Sequence, residues 1–423
     1  MKILITTFGT RGDIQPYIAF ALGLQAADHE VAICTSEGYR SLVESYNVQY
    51  EYLDRALLEL TQLLMGEAEG MKEIMSATRK MPPLIRQMME EEWNSARRFE
   101  PDLIVYHPKC LGSLHVAEKL GIPAILSLPL PFYTPTTAFP VPFMANIRLG
   151  KRFNKWSYGL MEKAPLLMYG GMINDFRINT LSLPSLGRFP NLLVRSNGSP
   201  VPVMYPYSTH VLPVPEDFPP HVYVTGYWFL DRPADWRPDP KLVRFLEAGP
   251  PPVYIGFGSM GGPGAHKRTK VVIEALERSG QRGLIASGWG GLKASDLPSN
   301  IYALDAVPHD WLFPQVAAVV HHGGSGTTAS GLRAGKPTVI CPFLGDQPFW
   351  GNLVHQLGVG PIPIPQKRLT ANRLAEAMTL ATQDVEMQRR SKELGRKISA
   401  EDGVACAVEI VGRIVNPVAQ TSR

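Results

Sequence analysis

Short apolar runs alternate with helical patterns through the first third of the chain, and the same alternation begins again after residue 250. In the first half, Lys2–Phe8, Glu30–Thr35, 101–106 and Ala124–Leu128 read as buried strands, with helices over Pro16–Ala27 and 112–120. In the second, Pro252–Phe257, Gly283–Ala286, Ile301–Leu304, Ala317–His321 and Thr338–Cys341 read as strands, and Lys267–Ser279 as a helix. A strand followed by a helix returns to its sheet in the same direction, so each half implies a parallel sheet of βαβ units. The segment Phe229–Pro240 between them carries three prolines and several charges and reads as a linker. The predicted class is α/β, with two domains facing across a cleft: residues 1–230, a linker 231–240, residues 241–384, and helices within 385–423 packing back across that cleft. Residues 56–98, rich in Met, Leu and charges, read as an outer helical insertion.

Of the 423 residues, 45% are hydrophobic and 19% charged, enough apolar material for two buried cores. Lysine and arginine number 42 against 38 acidic residues, a net charge of +4 that gives no reason to expect a nucleic-acid partner. Cys34, Cys110, Cys341 and Cys406 are far apart with no CxxC pair. That usage suits buried thiols in a reducing compartment, not a disulfide framework or a zinc site. Met1–Ile5 begins like a signal peptide, but Arg11 and Asp13 interrupt the apolar run, and no window reaches 18 uninterrupted apolar residues. A cytoplasmic protein is expected, with peripheral membrane contact as a further option. The amphipathic stretch Phe153–Met172 reads as a core helix, its alternative being contact with a bilayer surface.

Several loops carry residues suited to chemistry. Gly9-Thr10-Arg11-Gly12-Asp13 follows the first strand, and its two glycines permit a tight turn and close backbone approach to a ligand. The pattern is not GxGxxG, and the second strand ends in Thr35-Ser36 instead of an acidic residue for a ribose, which argues against a dinucleotide dehydrogenase. Asp13 sits where open parallel sheets bind ligands, and would serve equally as a helix cap. After the strand ending at His321, the run His322–Thr328 opens a helix whose amides and dipole favour an anion. With His321 as a further donor at its mouth, this loop suits a diphosphate. A second glycine-rich loop, Gly256–Gly262, is placed to touch the same phosphate. Gly345-Asp346-Gln347-Pro348 begins another helix with the acceptors and donors that sugar hydroxyls need. The chain has neither GxxxxGK[ST] nor DxD, so no metal ligands are expected and protein donors would stabilise a departing diphosphate.

The segment HHGGSGTTASGLRAGKPTVICPFLGDQPFWGNLVHQLGVGP resembles the nucleotide-sugar signature of the family 1 glycosyltransferases, which have the GT-B fold of two Rossmann-like domains. GTRGDIQPY, PPVYIGFGSM, VYVTGYWFLD and VPHDWLF resemble the sterol 3-β-glucosyltransferases within that family, and bacterial antibiotic-aglycone glycosyltransferases share the layout. The resemblance spans nearly the whole chain. It implies an acceptor-binding domain over 1–230 and a nucleotide-sugar-binding domain over 241–384. By motif position, His321 would contact the diphosphate, with Gly323, Ser325, Gly326 and Thr327 supplying loop and amide contacts and with Gly12 and Ser259 near the donor. Asp346 and Gln347 would hold the glucose hydroxyls, and Val307 would pair with the uracil through its backbone. Plant members carry a tryptophan where this chain has Ala306, which leaves uridine versus thymidine open. Trp289 is expected near the base instead, and Trp311 is expected to pack.

The implied reaction moves glucose from UDP-glucose, a co-substrate with no further cofactor, to the hydroxyl of a sterol or similar lipophilic acceptor. That hydroxyl must lose its proton as it attacks the anomeric carbon, so a general base is needed opposite the leaving diphosphate, and direct displacement inverts the anomer. Plant members use a first-loop histidine oriented by an aspartate from a later strand end. Here those positions hold Asp13 and His107, so the expectation is a swapped pair, Asp13 as base with His107 beside it. Phe132, Tyr133, Phe139 and Phe143 are expected to form an apolar acceptor wall, where burial of a flat sterol would contribute about 25 cal/mol per Å². The alternatives are another nucleotide sugar such as TDP-rhamnose, a fatty-acid, carotenoid or polyketide acceptor, or a non-catalytic nucleotide-sugar or lipid-binding protein.

Overall fold

A computed structural model describes residues 1–66, 71–187, 191–195, 197–257, 265–286 and 297–415. The described strands form two sheets with parallel pairing throughout. The first contains β1 (Lys2–Thr6), β2 (Glu30–Ser36), β3 (Gln49–Leu53), β4 (Leu103–Tyr106), β5 (Ala124–Ser127), β6 (Val203–Tyr205) and β7 (Val222–Val224), in the order 3-2-1-4-5-6-7. The second contains β8 (Val253–Gly256), β9 (Gly283–Ala286), β10 (Ile301–Leu304), β11 (Ala318–His321) and β12 (Thr338–Ile340), in the order 10-9-8-11-12. Each order reverses beside its first strand. The loops leaving β1 and β4, and those leaving β8 and β11, therefore diverge and open a crevice at the strands' carboxyl ends.

Helices cover both faces of each sheet, which is why the strands are almost continuously apolar. Ile3, Ile5, Leu103 and Val105 enter one core, while Leu4 and Ile104 enter the core on the opposite face. Three strands were not legible in advance. β3 (QYEYL) is an edge strand with polar positions, and β6 and β7 are three-residue strands hemmed by prolines.

The stretch 56–98 is not an outer insertion. It forms helices Ala56–Gly66 and Met71–Phe99, and the second is the crossover from β3 to β4. Its Ile85, Met88, Met89, Ala96 and Phe99 are buried against the sheet, with Glu92 among them, while Arg79, Lys80, Arg97 and Arg98 face outward. The charges suggested an exterior element, but one apolar stripe is enough to seat a helix on a sheet.

Of the last two helices, Val385–Ser399 stays with the second sheet, packed on helix Ser325–Arg333. Gly403–Val415 crosses to the first and packs on helix Arg11–Ala26, with Ala407, Ile410 and Val411 in that core. Trp228 Nε1 donates to Gly403 O at 3.1 Å, tying the crossing point down. Linker contacts add Arg232 to Asp310 (2.7 Å) and Arg333 to Asp231 (2.8 Å). All four cysteines are free thiols. No described helix is long and apolar enough to cross a membrane.

Candidate active site

Asp13 is the third residue of helix Arg11–Ala26, not its cap. Its Oδ2 accepts from Thr10 N (2.8 Å) and Thr10 Oγ1 (3.2 Å), which closes the start of the helix. Its Oδ1 points the other way, to Lys109 Nζ at 3.2 Å and His107 Nε2 at 3.7 Å, both just past the end of β4. One oxygen is held by the helix and the other is presented to the crevice. Burial would raise this carboxyl's pKa, but the Lys109 ammonium and the Thr10 amide outweigh it and hold the group below the ordinary carboxylate value. Asp13 is therefore a carboxylate at neutral pH.

His107 Nδ1 accepts the Lys109 backbone N–H at 3.2 Å, so in the neutral ring the proton sits on Nε2, facing Asp13. Burial, followed by the Lys109 charge, lowers its pKa to about 3 and keeps it neutral. The ring of Tyr17 meets His107 edge-on at 6.3 Å and is itself anchored by a bond from Tyr17 Oη to Ser127 O at 2.5 Å. The glycine this turn requires is Gly9. It has φ +145°, and a side chain there would collide with the Asp13 carboxylate. At Gly12 a Cβ would meet only Thr10 Oγ1, at 3.9 Å.

On the other side of the crevice, His321 closes β11 and is fully buried. Its Nδ1 accepts from Gly323 N at 3.0 Å, which leaves the proton on Nε2, and that atom has no hydrogen-bond partner among the described residues. Burial holds the imidazole neutral. Gly323 has φ +97° and lies against Ile340 and Gln347, so no side chain fits there. Helix Ser325–Arg333 follows, with Gly324 as a cap that offers no side chain. The first-turn amides, those of Ser325, Gly326 and Thr327, lie beyond the reach of intrahelical acceptors. Ser325 Oγ donates across the crevice to Pro129 O at 3.2 Å.

Asp346 caps helix Gln347–Gln356 and accepts from Trp350 Nε1 at 2.9 Å. Its pKa is raised, by burial first, against the Trp350 hydrogen bond, with the Asp13 carboxylate adding to the rise. Gln347 is buried, and its Oε1 accepts from Phe343 N at 2.7 Å. Val307 lies half-buried in the loop after β10.

Known proteins resemble this chain in sequence and fold. Residues 3–139 match the glycosyltransferase family 28 N-terminal domain, and residues 290–416 match the erythromycin biosynthesis protein CIII-like C-terminal domain. The chain is 37% identical to the sterol 3-beta-glucosyltransferase UGT80B1 of Arabidopsis thaliana, over 99% of this chain and 68% of that protein. The chain belongs to the glycosyltransferase family that contains this protein. The sterol 3-beta-glucosyltransferase of Saccharomyces cerevisiae is also 37% identical, over 97% of this chain but only 35% of its own length. Two solved structures share the fold. The glycosyltransferase of kitacinnamycin has a TM-score of 0.71 at 18% identity, covering 98% of this chain and 99% of that one. The glycosyltransferase VinC in complex with dTDP has 0.68 at 19%, covering 99% and 100%. This is therefore a GT-B glycosyltransferase, its two parallel sheets and returning C-terminal helix as expected.

In this glycosyltransferase the aromatic loop after β5 joins the two halves. Phe132 packs on Tyr133 (5.1 Å between ring centroids) and on Phe143 (4.9 Å), while Phe139 reaches Phe349 of the second half at 5.5 Å. Phe143 is half exposed and lies beside Gly345. Trp311 packs on Trp236 of the linker at 5.3 Å. Ser259 and Trp289 lie outside the described residues. Sequence reasoning passed over Lys109 and Trp350. Lys109 carried a usable signal, standing two residues beyond His107 at the same strand end.

Proposed function

We propose that this glycosyltransferase moves glucose from UDP-glucose to the hydroxyl of a sterol or similar lipophilic acceptor, in one inverting displacement with Asp13 as general base. The observation that carries this reading is what the two sheets present at their switch points: Asp13 Oδ1 after β1, left free by the helix start beside Lys109 and His107, and the unpartnered Nε2–H of buried His321 at the end of β11. Asp13 Oδ1 takes the acceptor's proton while His107 Nε2–H faces the carboxylate and steadies the charge. His321 Nε2–H and the amides of Ser325, Gly326 and Thr327 bind the diphosphate and receive the charge that develops as the anomeric bond breaks. Gln347, its carbonyl engaged by Phe343 N, offers its amide nitrogen to the sugar, and Asp346 accepts from sugar hydroxyls. Val307 pairs with the uracil through its backbone, with Gly12, Ser259 and Trp289 on the donor side. Phe132, Tyr133, Phe139 and Phe143 wall the acceptor. The names of the relatives support sterol and glucose as substrate classes.

The test is turnover of UDP-glucose with cholesterol and sitosterol beside flavonoids and hydroxy fatty acids, read by mass spectrometry. A sterol gaining the mass of one hexose less water, absent with Asp13→Asn, is the expected result. Binding of UDP with no product from any acceptor would overturn it.

A further inference from the structure

We infer that the face formed by residues 143–156 and the outer side of helix Lys151–Asp175 docks this protein on an anionic phospholipid membrane. From Lys119 to Met161 the sequence contains no acidic residue, and Arg148, Lys151, Arg152 and Lys155 fall together at the start of this helix. All four are exposed, and none makes an ion pair or side-chain hydrogen bond among the described residues. Between them stand large apolar side chains in contact with water: Leu149 is 70% exposed and Trp156 63%. Lys151, Arg152, Lys155, Trp156 and Thr137 line an open hollow of about 320 Å³.

The helix continues the pattern. Leu167 follows Trp156 by eleven residues, three turns on the same face, and is 84% exposed, with Lys163 exposed between them. Exposed tryptophan and leucine interleaved with unpaired cations match the interface of an anionic bilayer, where the rings enter the headgroup region and the cations meet lipid phosphates. An acidic protein would match the charges but would give no reason for Leu149, Trp156 and Leu167 to stand bare in one stripe.

The surface is continuous with the aromatic loop. Asn154 Nδ2 donates to Thr137 O at 2.9 Å, and Phe143 touches Phe132. Docking there sets the mouth of the aromatic wall against the lipid. The inference stands apart from the choice of acceptor, because binding to lipid is read without turnover.

The experiment is flotation of the full chain with vesicles of phosphatidylcholine alone and with added phosphatidylglycerol, at low and high salt. The expected result is binding to the anionic vesicles only, lost at high salt. The triple variant Lys151→Gln, Arg152→Gln, Lys155→Gln should bind on the order of 100-fold more weakly. Trp156→Ser should weaken binding further, and both variants should keep wild-type melting and turnover with detergent-dispersed acceptor. Failure of the wild type to float with anionic vesicles, or equal flotation of wild type and triple variant, would overturn it.

Discussion

Lys109 Nζ lies 3.2 Å from Asp13 Oδ1, the oxygen that the helix start leaves free. Burial alone would favour a protonated Asp13, and it is chiefly this ammonium that reverses the balance. Lys109 is half exposed, so its side chain has room to move away from the carboxylate.

A pH profile reads this directly. With Asp13 as the proposed base, kcat/KM should fall as pH drops through the Asp13 pKa, which Lys109 holds below the ordinary carboxylate value. In Lys109→Met, burial acts without its main opponent and the pKa rises. The acidic limb of kcat/KM should move to higher pH. An unmoved limb would mean that Lys109 does not set the charge of Asp13.

His321→Ala removes the neutral donor of the second half. Loss of a hydrogen bond to a charged oxygen is worth about 1.5–3 kcal/mol, so the Kd for UDP should rise by roughly 10- to 100-fold. Asp13→Asn should bind UDP as the wild type does. Calorimetric titration distinguishes the two, and equal affinities would remove His321 from the diphosphate.

The returning helix Gly403–Val415 is stitched into the first core by Ile410. Ile410→Ala should cost about 2–5 kcal/mol in urea unfolding, whereas Arg413→Ala on the exposed face of the same helix should stay within about 0.5 kcal/mol. Matching losses would show that the helix only rests on the surface.

Glu92 is buried beneath β1 and β4, where its Oε2 accepts from Ser113 Oγ at 2.5 Å. Burial raises its pKa to about 8, against 4.5 when free. The folded state thus keeps a proton that the unfolded chain gives up, and stability falls by about 1.4 kcal/mol per pH unit between those values. Glu92→Gln should flatten this decline in urea midpoints measured across that range. A wild-type slope retained in the variant would place the titration elsewhere.

The strand-end or helix-start positions of Asp13, His107, His321 and Asp346 were legible because a glycine or proline stands within two residues of each, a signal contained in a few consecutive residues. Phe153–Met172 does bury Tyr158 and pack Tyr169 and Met172 on the core, but its other face was not legible, for the opposite reason. A helical stripe shows that one face is apolar, but not whether a neighbour covers it, and here Trp156, Leu167 and Met168 stand uncovered.

The sequence by itself determined the two parallel-sheet halves, the linker and the loops that meet at the crevice, since hydrophobic period and turn chemistry are local properties of the chain. Only the tertiary structure decided which oxygen of Asp13 faces Lys109, that Phe139 reaches Phe349 and Ser325 reaches Pro129 between the two halves, and that the last helix crosses back. Those relations join residues far apart in sequence, and burial and charge act between them only once packing has removed the water.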